Sequence, residues 1–104
     1  MKIKSYAVQK YAGGTDYPLS AMIWLKDETN KDIANIRFYK DPAKVPANDT
    51  KSASGFIACY CPSDQYPDFI DLLRNEGPIY LNFSDGNKMG YLSTLAEPVG
   101  DGEL

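Results

Sequence analysis

A chain of 104 residues with a net charge of −3 has room for one domain, and its 43% hydrophobic share excludes wholesale disorder. The negative charge argues against nucleic acid as the main partner, and no apolar run reaches the length of a membrane span. Met1-Lys2-Ile3-Lys4 has no apolar stretch behind its lysines, so no signal peptide is expected and the cytoplasm is the expected location.

The charge is unevenly spread. Met1 to Lys51 carries nine basic and six acidic residues, whereas the remainder carries two basic and eight acidic ones. Such asymmetry gives one surface an attraction for anions or acidic neighbours.

In chain order, Lys2 to Tyr11 alternates and predicts a strand, followed by a loop at Gly13-Gly14-Thr15-Asp16-Tyr17-Pro18. Ser20 to Lys26 and Ile33 to Lys40 predict two strands of a hairpin. With Glu28 to Lys31 as its loop, Leu25 faces Ala34, Ile23 faces Ile36 and Ala21 faces Phe38, all apolar. The opposite face then carries Trp24 with Asn35, Met22 with Arg37, and Ser20 with Tyr39. Asp41 to Ser54 is a long connection holding Pro42 and Pro46. Gly55 to Cys61 follows, apolar on both faces, as befits a central strand.

One helix is expected next. Ser63 or Asp64 can cap it, Pro67 fits its first turn, and Tyr66, Phe69, Ile70 and Leu73 make one apolar stripe widened by Leu72. Gly77-Pro78 stops it. Ile79 to Ser84 and Lys88 to Leu95 predict a closing hairpin turned at Asp85-Gly86, pairing Leu81 with Gly90 and Tyr80 with Tyr91. Residues 97–104 read as an acidic, Gly-rich tail expected to fray, leaving 1–96 as a single domain. The expected fold is α+β and mostly β, in the order β-β-β-β-α-β-β. About six strands form a twisted antiparallel sheet or partly open barrel, with one amphipathic helix packed on it.

The chain has no histidine, which removes serine–histidine and cysteine–histidine mechanisms within one copy. Cys59 and Cys61 lie two apart, on one face of a strand, too far apart for a disulfide. As zinc ligands they supply two of the usual four, so neither a metal nor a cofactor is implied. A helix start just after Cys61 could activate a thiol, but small buried core residues are the simpler reading. Gly13-Gly14 lacks the spacing of a phosphate-binding loop.

The binding candidates are Trp24, Arg37, Tyr39 and Met22 on the second face of the central hairpin. Arginine grips phosphate or carboxylate, and aromatic rings stack and dominate binding hot spots. The leading expectation is a binding or assembly domain without catalytic machinery. Its partner is a second copy (a dimer), an unknown protein, or an anionic, nucleotide-like small molecule with the Asp41 to Ser54 loop as a lid. The alternatives are a small hydrolase or lyase using carboxylates or a cysteine such as Asp64 or Cys61, and a structural accessory subunit.

Overall fold

The computed structural model describes residues 1–95, so the tail expected at 97–104 lies outside them. The elements are β1 (Lys2–Ile3), β2 (Ser5–Lys10), β3 (Leu19–Lys26), β4 (Asp32–Tyr39), β5 (Thr50–Lys51), β6 (Ile57–Pro62), α1 (Tyr66–Asn75), β7 (Ile79–Ser84) and β8 (Met89–Thr94). Short 3-10 turns occupy Pro42–Lys44 and Ser63–Gln65. The fold is α+β and mostly β, as the patterning predicts. The strands form two sheets, ordered β2-β3-β4-β6-β5 and β1-β7-β8.

The central hairpin has the register expected from its apolar faces: Ala21 pairs with Phe38, Ile23 with Ile36 and Leu25 with Ala34. Its turn is organised by Asp27, whose carboxylate accepts from Thr29 N–H at 2.8 Å and Lys31 N–H at 3.1 Å. The far end departs from the expected pairing. Leu19, not Ser20, pairs with Tyr39, and the ladder shifts between Leu19 and Ala21. Ser20 is drawn aside, its hydroxyl 2.6 Å from that of Ser63.

Further differences lie in how the strands pair. The single strand expected over Lys2–Tyr11 is divided: β1 pairs with β7, while β2 pairs with β3. The chain changes sheets at Lys4, whose N–H still donates to Lys26 O at 2.8 Å. One pairing is parallel, β4 with β6, because the long Asp41 to Ser54 segment acts as a crossover rather than a hairpin loop. The β7–β8 hairpin sits two residues from the expected register, with Leu81 opposite Leu92 and Ser84 opposite Met89. Its loop is four residues long, and Lys88 takes a φ of 51° to close it. A shift of two keeps each side chain on its own face, so the core is unaffected.

Neither Ser63 nor Asp64 caps α1. The Ser63 hydroxyl donates instead to Tyr39 O at 2.7 Å, and Pro67 stands in the first helical turn, as expected. One face of the larger sheet supplies Ile23, Leu25, Ile36, Phe38, Ile57 and Cys59 to the core, and Leu73, Ile79 and Leu81 close on them. Phe38 is the hub, with the Tyr66 and Phe69 rings edge-on at 5.2 and 5.8 Å. Burying an aromatic side chain so completely contributes roughly 1.5–3 kcal/mol.

Candidate functional site

Because α1 and the smaller sheet pack on one face of the five-stranded sheet, the alternation of its strands brings a second set of side chains together on the other. Across the strands, one rank runs Ala7, Trp24, Asn35, Ala58 and Thr50. The next rank runs Gln9, Met22, Arg37 and Tyr60, and Tyr39 lies beside it on β4. All four residues singled out in the sequence therefore share one surface.

Arg37 stands at its centre. Its guanidinium carbon lies 5.6 Å from the Tyr60 ring centre, and Tyr60 in turn lies 6.3 Å from the Tyr39 ring. The ion pairs found among the described residues are Lys2–Glu28 and Lys26–Asp32, and Arg37 enters neither. Arg37 Nε and Asn35 Oδ1 are buried without a hydrogen-bond partner among the described residues. A buried polar atom left unpaired costs about 1–3 kcal/mol, which places a specific tension at this point of the sheet.

Trp24 is held from two sides. Its indole Nε1 donates to Gln9 Oε1 at 3.1 Å, and its ring lies 6.3 Å from that of Phe56. Gln9 Oε1 also accepts from the Tyr11 hydroxyl at 3.3 Å, and Tyr11 packs edge-on against Tyr17 at 4.9 Å. Trp24, Arg37 and Tyr39 are half-buried, whereas Met22 is only 8% exposed and forms the packed floor between them.

Gln9, Tyr11, Phe56 and Tyr60 were not among the sequence candidates. Their signal was the same alternation, but it needed the β2–β3 and β4–β6 pairings to be known. The Tyr80 and Tyr91 pair does not extend this surface. Both belong to the smaller sheet, where Tyr80 faces Ser93 and Tyr91 faces Asn82.

The cysteines answer to a different arrangement. Cys59 and Cys61 are free and buried, beside a cleft of about 410 Å³ between β6, α1 and β8. Burial, reinforced by the Asp49 carboxylate, pushes both thiols up to about 12. They are protonated at neutral pH, the reverse of the activation a helix start would bring. Asp49 itself is occupied: its two oxygens accept from Tyr60 N–H and Gly90 N–H, both at 2.9 Å. The Asp41 to Ser54 segment expected as a lid is thereby fastened to both sheets. Among the described residues no three Cys, Asp or Glu side chains converge as a metal-binding set. No described helix is long and apolar enough to cross a membrane. In comparisons with protein-family models, curated proteins and solved structures, nothing matches this chain.

Proposed function

We propose that this chain is a binding domain that works through the aromatic face of its larger sheet. Its ligand is a small molecule carrying an anionic group and a flat ring, in the manner of a nucleotide. Arg37 takes the anion, and one of the aromatic side chains that stand on either side of it along the strands, Trp24 or Tyr39, stacks on the ring. The observation that carries the reading is Arg37: a half-buried cation set against the Tyr60 ring, outside every ion pair found among the described residues. An arginine so placed has its donors fixed in a fork and its charge uncompensated, which is the condition for gripping phosphate or carboxylate.

Self-assembly through this same face is disfavoured by symmetry. A two-fold axis through its centre would set Arg37 against the partner's copy of itself. Protonated thiols and a fully engaged Asp49 support the same reading over a cysteine hydrolase.

Trp24 is the single tryptophan, so its fluorescence reports on this face alone. Titration with nucleoside monophosphates is expected to change that fluorescence saturably. Arg37→Glu should weaken binding by at least about tenfold, the equivalent of roughly 1.4 kcal/mol, with the melting temperature retained. Native mass spectrometry of the gently purified protein should show the retained ligand as added mass. Unaltered fluorescence across the nucleotide panel, together with no retained mass, would refute the proposal.

A further inference from the structure

Four sheet edges need an account in this fold. β1 and β5 are two residues long and offer little to pair with. The outer edge of β8 is engaged at its start by the crossover segment, where Gly90 N–H donates to Asp49 and Lys88 O accepts from Asp49 N–H. β2 is different: it is six residues long, without proline. Tyr11 N–H donates to Ser20 O across the β2–β3 ladder at 3.0 Å. Antiparallel alternation then turns the amide groups of Tyr6, Val8 and Lys10 away from β3.

A helix runs beside this free edge. The ammonium of Lys10 lies 5.1 Å from the ring centre of Tyr66, at the start of α1. At the other end of β2, a cleft of about 420 Å³ is lined by Lys4 and Tyr6 from the strand side and by Leu73 and Glu76 from the helix side. Strand and helix therefore flank a trough, running in opposite directions. Val8, 40% exposed, stands on the same face of β2 as Tyr6 and Lys10.

The trough thus combines unpaired strand amides, the exposed apolar side chain of Val8, and cations at its two ends, Lys4 and Lys10. Glu76 is the acid lining its cleft. The first fifteen residues contain three lysines and no acidic residue. A second copy would bring the same lysines to this edge, and edge lysines oppose such pairing.

We infer that this trough takes an extended acidic segment of a partner protein, added as a further strand on the free edge of β2. The segment's backbone satisfies the outward amides of Tyr6, Val8 and Lys10. Its apolar side chains lie along Val8, and its acids reach Lys4 and Lys10 at the two ends. This surface is independent of the Arg37 face on the other side of the sheet.

The test uses the full chain labelled with nitrogen-15 and the end-blocked heptapeptide Glu-Thr-Val-Thr-Val-Thr-Glu, whose alternation aims its acids and valines at one face. Saturable amide shifts at Tyr6, Val8 and Lys10 are expected, with slowed hydrogen exchange at the same groups. Combining Lys4→Glu with Lys10→Glu should weaken binding about tenfold. Val8→Pro should abolish it while leaving the β3–β4 amides unshifted, because the N–H it removes points away from β3. Three results would overturn the inference: no saturable shift along β2, equal binding of the peptide with lysine at its ends, or protection of the β2 amides by rising protein concentration alone. The last would assign the edge to a second copy.

Discussion

At Gly90 the smaller sheet packs directly against the larger one. A Cβ added there would stand 2.5 Å from Cys59 Sγ and 3.0 Å from Ile57 Cγ2. Gly90→Ala therefore overpacks the seam and should lower stability by about 1–3 kcal/mol, read from urea unfolding. Adding Cys59→Ala removes the nearer clash, so the double variant should lose less than the sum of the two single ones. Additive losses would show that the seam relaxes freely.

The thiols at that seam give a pH dependence. Folding raises Cys59 and Cys61 from an ordinary 9.0 to about 12. Between those values the folded state holds protons that the unfolded state has released. Their contribution is thus intact below about pH 9 and is lost as pH rises toward about 12. The variant Cys59→Ala, Cys61→Ala should show a shallower alkaline loss of stability than the parent chain. Identical slopes would contradict the burial of the thiols.

At the scale of the element, the central hairpin is held by both its faces and its turn. Asn30 takes a φ of 65°, the left-handed region that asparagine tolerates better than most residues. Asn30→Val should cost about 1–2 kcal/mol, whereas Asn30→Gly should leave stability within about 0.5 kcal/mol of the parent. Thermal unfolding of the two variants separates backbone strain from any role of the side chain. This hairpin was also the element most legible in the sequence. Apolar residues at Ala21, Ile23 and Leu25 exclude a slip by one, which would expose them all, and the short polar turn around Glu28 to Lys31 selects among the registers that remain. The β7–β8 hairpin was less legible because Asp85-Gly86 satisfies a two-residue turn as readily as it begins a four-residue one. Apolar patterning does not separate registers two residues apart.

At the scale of the whole molecule, Asp49 shows how contacts distant in sequence decide the assembly. Its carboxylate joins the backbone of Tyr60 to that of Gly90, and its own N–H reaches Lys88 O. No local pattern marks it out within a polar connection from Asp41 to Ser54. The same holds for the binding surface. Trp24, Met22, Arg37 and Tyr39 could be grouped from one hairpin, but Gln9, Tyr11, Phe56 and Tyr60 joined them only through β2 and β6. The sheet was expected to be antiparallel throughout, and the parallel β4–β6 pair depends on the path of that same crossover.

The sequence was enough to place the six longer strands and the helix, the two faces of the central hairpin and, with its turn, that hairpin's register. Those properties follow from side-chain period and turn chemistry, which act over a few residues. It took the packed fold to settle that one N-terminal strand serves two sheets, that Asp49 ties them, and that β2 keeps a free edge beside α1. These depend on which distant strands meet. That choice is made by the burial of one shared core rather than by any local preference of the chain.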